Sequence, residues 1–339
     1  MKANLLKKTE YEALLKAINE QDALRILSGT AYASLSSSLS TEEFSISKFE
    51  RALLESYYAV YEHVMSFTVG KARAFLQKVY QRYEMTCLKS IIRIFYADVP
   101  RGEAMIYITP TGSFSFEVCT DLLRKRELRE VVEEVREPEL KIKLLEAMKD
   151  GARLHSSLPL ECVIDKFCFT TLWELANQLQ GWDKPPVIRI LGMEIDLANI
   201  IILLRTKSMG LDIVTTKNFL IPIRYKLGSE FESALNMLTA LDALRILATG
   251  YYSNPLLDTL SICEEEGTIL PVELALRRHY LKENLKVFAG YPFHVGLLLA
   301  YLNLKYYEIG DIRAVIVGKF NRLPPEKIKD LLTLYELVG

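Results

Sequence analysis

Asp22-Ala-Leu-Arg-Ile-Leu27 recurs unchanged much later in the chain, as Asp242-Ala-Leu-Arg-Ile-Leu247. The match extends upstream, because nine of the nineteen positions in 9–27 are identical in the ungapped segment 229–247. Self-similarity at a fixed offset indicates a repeated structural unit, and a repeat determines the architecture more strongly than any single motif. The two ends of the chain therefore contain copies of one unit.

The offset of 220 predicts a third copy halfway, with a period near 110. Two sets of glutamates keep such a period, with offsets of 111 and 112 in the first set and 110 and 114 in the second: Glu50, Glu161 and Glu273, then Glu84, Glu194 and Glu308. The middle copy opens weakly at Phe116-Glu117, without an evident counterpart of the Asp22 run. We predict three similar helical units, 1–112, 113–228 and 229–339.

Helix is the only regular structure that the sequence supports strongly. Apolar residues recur at helical spacing, for example at 88, 91, 92 and 95, which predicts an all-α fold. Both outer copies open with a capping-box pattern, Thr9 with Glu12 and Ser229 with Glu232, so a helix should start after each hydroxyl residue. The stretch 105–109 could instead form a short strand.

The composition excludes several classes of protein. Lys and Arg number 42 against 43 Asp and Glu, so no net positive field attracts nucleic acid. The longest apolar runs, 199–204 and 295–302, are far shorter than the ~20 residues of a spanning helix. Five cysteines without a C-x-x-C pair favour reduced, buried thiols. The first nine residues carry no secretory pattern, so we expect the chain to stay in the cytoplasm.

No pattern in the sequence predicts an active site. The four histidines are too far apart for a metal site on one helix, and the Gly318-Lys319 pair lacks the glycine spacing of a phosphate-binding loop. Nucleophile-elbow and dinucleotide-binding motifs are missing as well. We therefore expect no catalytic residue, no metal, no cofactor and no small-molecule substrate.

The carboxylates kept by the repeat are interpreted as structural. Catalysis would need one asymmetric site, whereas a threefold recurrence favours helix starts or pairing between helices in each unit. The same interpretation applies to Asp22 and Asp242, which open the repeated hexapeptide.

The C-terminal third resembles a known family. The segments that carry the likeness are Tyr291-Pro-Phe293, Leu299-Ala-Tyr-Leu302, Glu308–Arg313, Gly318-Lys319 and Leu323-Pro-Pro-Glu326, and Met193–Lys207 resembles the family's middle copy of the same helix. The family is the C subunit of archaeal and bacterial V/A-type rotary ATPases, known as the d subunit in the eukaryotic vacuolar enzyme. Phe320 stands where we expect a small residue such as Ala.

This resemblance implies a funnel of three helical units about a pseudo-threefold axis, seated on the cytoplasmic face of the membrane. It implies a socket in the central stalk of the rotor, whose partners are the D and F shaft subunits and the proteolipid ring. Torque for ion transport or ATP synthesis would pass through it, while ATP chemistry occurs elsewhere. The competing hypothesis is a helical-repeat scaffold that binds a partner helix or peptide in its concave face. The third hypothesis is an enzyme.

Overall fold

The computed structural model describes residues 4–33, 35, 45–97, 99–102, 104–108 and 110–338. Over these ranges the regular structure is helical, and β pairing is limited to an isolated antiparallel bridge between Thr111 and Phe114. The all-α prediction is confirmed. The short strand considered at 105–109 is wrong, because Ala104–Tyr107 forms a 3-10 helix, while Thr109 lies outside the described residues.

The helices follow one another along the whole chain. The first part contains α1 (Lys8–Lys16), α2 (Glu20–Leu27), α3 (Ile46–Ser66), α4 (Gly70–Tyr96), α5 (Phe116–Arg124), α6 (Leu128–Glu133), α7 (Pro138–Leu154) and α8 (Leu158–Gln178). The second part contains α9 (Lys184–Ser208), α10 (Ile213–Phe219), α11 (Ser229–Leu235), α12 (Ala240–Leu247), α13 (Ser253–Leu257), α14 (Leu260–Glu266), α15 (Leu270–Lys286), α16 (Val295–Phe320) and α17 (Pro325–Leu331). A 3-10 helix, Val287–Ala289, joins α15 to the loop before α16.

The opening helices start one or two residues earlier than predicted, and the predicted capping boxes are wrong. α1 begins at Lys8 and α11 at Ser229, so Thr9 and Ser229 lie inside the first turn instead of before it. The carboxylates that reach back are Glu10 and Glu230, which accept the backbone N–H group of the residue before each helix at 2.6 and 2.9 Å. A carboxylate at this place also complements the helix dipole.

Contacts group the helices into two compact units. The terminal unit combines Met1–Glu134 with Asn284–Gly339, and the central unit is Val135–Glu283. These units cut across the three predicted sequence units, 1–112, 113–228 and 229–339, which stay a prediction.

In the terminal unit α16 is the central helix. It packs against α2, α3, α4 and α17. A helix that is apolar on nearly every side has to be enclosed by others, and α16 buries Leu299, Ile312, Val315 and Ile316 among many side chains. The last long helix of the sequence is thus enclosed largely by the first helices.

The central unit has the same arrangement around α9. This helix packs against α8, α10 and α12, and Ile200, Leu203 and Leu204 in its apolar run are buried. The third sequence copy opens with α11 and α12, and α12 therefore packs on the long helix of the second copy. The pair α1 and α2 stands in the same relation to the third copy, since α2 packs on α16.

Candidate functional site: polar tethers on the long helices

Glu308, in the middle of α16, is completely buried and fully bonded. Its two carboxylate oxygens accept the backbone N–H of Leu6 at 2.6 Å and the hydroxyl of Tyr32 at 2.6 Å. The ammonium group of Lys305 lies 2.7 Å from the same carboxylate and also donates to the carbonyl of Asn4 at 2.8 Å. The C-terminal helix is thereby tethered to the segment that leads into α1.

Asp196 on α9 makes the corresponding tether in the central unit. Its carboxylate accepts the backbone N–H groups of Tyr225 and Lys226 at 2.9 and 2.6 Å and the hydroxyl of Tyr252 at 2.8 Å. By the offset of 220 that relates the outer copies, Lys226 and Tyr252 correspond to Leu6 and Tyr32, the donors to Glu308. Burial raises the pKa of Asp196, while these hydrogen bonds oppose the shift.

Glu84 on α4 contacts the segment before α5 in a similar way. It accepts the backbone N–H of Ser113 at 2.7 Å. The neighbouring Gly112 has φ +58°, and a Cβ there would stand 2.0 Å from the Glu84 carboxylate oxygen, so the contact requires glycine. Glu84, Asp196 and Glu308 are evenly spaced along the sequence, with 112 positions from each one to the next.

The recurring glutamates predicted Glu194 at the place that Asp196 occupies in the structure. The structure places Glu194 elsewhere, accepting the hydroxyl of Tyr280 at 2.9 Å. The signal for Asp196 was present, because it lies at the exact midpoint of the sequence between Glu84 and Glu308. Asp196 does not match a pattern that requires a glutamate in every copy.

One helical turn further on, a second tether repeats with the same spacing. Asn199 accepts the backbone N–H of Ile221 at 2.8 Å, and Asp311 accepts that of Thr333 at 2.8 Å. The acceptors Asn199 and Asp311 are 112 positions apart, and so are the donors Ile221 and Thr333. This is the spacing of Asp196 and Glu308 as well. Burial raises the pKa of Asp311 to about 6, although four hydrogen bonds oppose the shift. This pair was not predictable from a repeated residue type, since one acceptor is an asparagine and the other an aspartate.

The glutamates near the starts of α3, α8 and α15 pair with arginines on the long helices. Glu50 lies 2.6 Å from Nε of Arg313 on α16. Glu273 lies 2.7 Å from Arg205 on α9, and Glu161 lies 3.6 Å from the same guanidinium. Burial raises the pKa of Glu50, and Arg313 acts against it. These contacts join helices within each compact unit, and the structural role of the recurring glutamates stays a prediction.

Asp22 and Asp242 lie in the first turns of α2 and α12. Each lies beside the arginine three residues on, Asp22 at 2.5 Å from Arg25 and Asp242 at 3.1 Å from Arg245. The side chains of Asn19 and Thr239 cap the two helices, because they accept the backbone N–H groups of these aspartates. The repeated hexapeptide is thus a helix start on the surface.

Within the described residues no group of three or more His, Cys, Asp or Glu side chains could hold a metal ion. In the same residues no helix is long and apolar enough to cross a membrane. A small cavity in the terminal unit is lined by Glu50, Leu53, Leu54, Tyr57, Pro110, Thr111, Tyr306 and Ile309. The carboxylate in this lining is the one that pairs with Arg313.

Comparison with known proteins gives a match along nearly the whole chain. The model of the ATP synthase (C/AC39) subunit family matches residues 1–331. The C subunit of the A-type ATP synthase of Pyrococcus horikoshii is 25% identical over 337 residues, which cover 98% of this chain and 87% of the relative. The proteins of that name in Methanocaldococcus jannaschii and Methanosarcina barkeri are 22% and 23% identical, over 97% and 98% of this chain and 83% and 90% of their own.

Proposed function

Because the chain belongs to the ATP synthase (C/AC39) subunit family, we propose that it is the non-catalytic C subunit of an A-type ATP synthase. It acts as a socket in the central stalk, receiving the foot of a shaft made of the D and F subunits. Its other side rests on the membrane ring of proteolipids, at the cytoplasmic face. Torque passes through it between shaft and ring.

The observation that carries this proposal is the length of the similarity. The C subunits of A-type ATP synthases cited above align with 97% or more of this chain, and the chain covers 83% or more of each of them. A likeness confined to one helix pair would support only a shared packing motif. A likeness along the whole chain supports a shared role.

The buried tethers support the mechanical part of the proposal. An adaptor under torque must resist sliding between its helices, and buried hydrogen-bonded groups fix one register, because any slip leaves them without partners. In the terminal unit Glu308 and the Glu50–Arg313 pair join helices from both ends of the sequence. The even spacing of Glu84, Asp196 and Glu308 supports the predicted threefold repeat.

Co-elution tests the proposal directly. The purified chain is mixed with a D–F shaft complex and, separately, with a detergent-solubilised proteolipid ring, and each mixture is passed over a sizing column. We expect the chain to elute with both, while an unrelated helical protein of similar size elutes with neither. Elution apart from both partners would overturn the proposal.

A reconstitution assay tests the absence of catalysis. A synthase assembled without the chain should still hydrolyse ATP in its catalytic head, but without moving ions. Adding the chain back should restore ion transport. A detached head that hydrolyses ATP only when the chain is added would show that the chain contributes to catalysis, which would contradict this assignment.

A further inference from the structure

The terminal unit exposes four large apolar side chains in two loops. Phe67 and Val69, in the turn between α3 and α4, are 64% and 80% exposed. Tyr291 and Phe293, in the loop before α16, are 54% and 77% exposed. Single exposed apolar residues are ordinary on a protein surface, whereas several together indicate a site of interaction. We call these four residues the aromatic end.

Helix contacts place both loops at one end of the terminal unit. The rings of Tyr61 on α3 and Tyr80 on α4 lie 4.1 Å apart, so these two helices run antiparallel into the turn that carries Phe67. The rings of Tyr83 on α4 and Tyr306 on α16 are also 4.1 Å apart. At about 1.5 Å per residue, the start of α4 lies about 20 Å along the helix axis from Tyr83, and the start of α16 lies about 17 Å from Tyr306 in the same direction.

The opposite end of α16 confirms its direction. Arg313, further along the helix than Tyr306, pairs with Glu50 near the start of α3. The helix therefore runs antiparallel to α3 and parallel to α4. The loops before α4 and before α16 are consequently at the same end, within about one helical turn of each other along the helix axis.

Both loops are held in shape by their own contacts. Arg73 donates to the carbonyl of Met65 at 2.9 Å, and the ring of Phe67 meets that of His63 edge-on at 4.9 Å. In the second loop the rings of Tyr291 and Phe293 are 5.6 Å apart. A shaped loop loses little conformational entropy when its aromatic side chains bind.

Basic residues predominate in the sequence next to the two loops of the aromatic end. Neither 63–83 nor 284–307 contains an Asp or Glu, although the whole chain has one more acidic than basic residue. Lys71, Arg73 and Lys286, all exposed, stand beside the two loops. The nearest acidic residue before the first loop is Glu62, which is hydrogen-bonded to Tyr58. Aromatic residues flanked by basic ones suit the interface of an anionic membrane.

We propose that the aromatic end inserts into the headgroup layer of an anionic lipid bilayer. The aromatic rings enter the boundary between headgroups and acyl chains, while the basic residues beside them contact lipid phosphates. This contact goes beyond the proposed function, in which the membrane partner is the protein ring. The two proposals can therefore fail separately.

Vesicle flotation with the purified full chain tests the proposal. Vesicles of phosphatidylcholine alone are compared with vesicles that also contain phosphatidylglycerol. We expect the chain to float with the anionic vesicles, to bind the neutral ones more weakly, and to be released in part by salt. The double variant Phe67→Ser, Phe293→Ser should lower the partition coefficient on anionic vesicles at least tenfold, a change of about 1.4 kcal/mol.

Ile18→Ser is the matched control. Ile18 is 89% exposed in the terminal unit, but it lies at the other end of α16, where Lys319 donates to the carbonyl of Leu15 at 2.6 Å. This variant should bind vesicles as the unmodified chain does. Since all three substituted side chains are exposed, each variant should retain its melting temperature, which is measured alongside.

Tryptophan fluorescence provides a second readout. In the variant Phe293→Trp, the emission that exceeds that of the unmodified chain should shift to shorter wavelength when anionic vesicles are added. A residue outside the bilayer would show no shift.

Three results would overturn the lipid contact. The chain could elute with the solubilised ring yet ignore vesicles, which would leave the proposed function standing. The double serine variant could bind vesicles unchanged. It could also lose the ring while the unmodified chain ignores vesicles, which would assign the aromatic end to a protein contact. Failure to bind ring and shaft, with vesicle binding intact, would instead overturn the proposed function alone.

Discussion

The central and terminal units bury the same carboxylate tether with different charges around it. Asp196 on α9 is bonded by two backbone N–H groups and one tyrosine hydroxyl, without an ion pair among the described residues. Glu308 on α16 has one backbone donor, one tyrosine and the buried ammonium of Lys305. Neutral donors alone, backbone N–H groups and a tyrosine hydroxyl, can therefore satisfy a buried carboxylate. A buried cation is a second solution, and the carboxylate beside it then depends on that cation for its charge balance.

Removing the cation should produce the largest effect. Lys305→Met leaves Glu308 buried with one donor fewer and no counter-charge, and we expect a loss of about 3–5 kcal/mol in the free energy of unfolding, measured by urea denaturation. The double variant Lys305→Met, Glu308→Gln should recover much of this loss, because no charge is then left unpaired. A single variant within about 1 kcal/mol of the unmodified chain would show that water reaches Glu308.

The second tether is ionisable in the terminal unit and neutral in the central unit, and a change of pH should reveal this difference. The pKa of Asp311 is raised to about 6 from the ordinary 3.8. The folded chain therefore binds this proton more tightly than the unfolded chain, so its contribution to stability is present below pH 3.8 and is lost as pH rises to about 6. Asn199, its counterpart in the central unit, does not titrate.

Asp311→Asn removes the titrating group and leaves an amide there, the side-chain type of Asn199. Relative to the unmodified chain, the variant should gain about 2 kcal/mol between pH 4 and pH 7, as the carboxyl in the unmodified chain ionises. Denaturation curves at several pH values measure the difference in free energy of unfolding between the two chains. The titration of Glu50 and Asp196 cancels in this difference, because both chains contain these residues. A difference that stays constant across this range would contradict the raised pKa.

Asp196→Asn tests the tether that has no cation. Both oxygens of Asp196 accept backbone N–H groups, so an amide NH2 would face a donor and leave it without an acceptor. We expect a loss of about 1–3 kcal/mol in the free energy of unfolding. Asp258→Asn, at an exposed position of the central unit, is the control and should stay within about 0.5 kcal/mol. Equal effects at the two positions would show that the hydrogen bonds of Asp196 add nothing measurable to stability.

Regular offsets made the helices predictable, but side-chain partners depend on packing between distant segments. The repeated sequence predicted the starts of α1 and α11 to within two residues, since helix starts depend on near neighbours. Glu84 and Glu308 were found because they share a residue type, whereas Asp196 was missed because a backbone N–H group can donate to either acid. Phe293 belongs to the motif that suggested the family, yet its exposure was not predictable, since an apolar residue is expected inside.

The smallest expected effect separates backbone strain from side-chain contact. Gly112 in the terminal unit and Gly181 in the central unit have nearly equal φ, +58° and +56°. A Cβ at Gly181 meets nothing within 4 Å, whereas one at Gly112 stands 2.0 Å from the Glu84 carboxylate. Both Gly→Ala variants bear the cost of a left-handed alanine, about 1 kcal/mol.

Only Gly112→Ala should in addition push Glu84 away from the Ser113 N–H, which adds about 1 kcal/mol for the lost hydrogen bond. Thermal unfolding of both variants measures this difference, and Gly112→Ala combined with Glu84→Ala isolates its origin. The double variant Gly112→Ala, Glu84→Ala should lose no more stability than Glu84→Ala and Gly181→Ala lose when their separate losses are added. If Gly112→Ala and Gly181→Ala lose the same amount, Glu84 swings aside without cost, and its tether to the segment before α5 is weaker than those of Asp196 and Glu308.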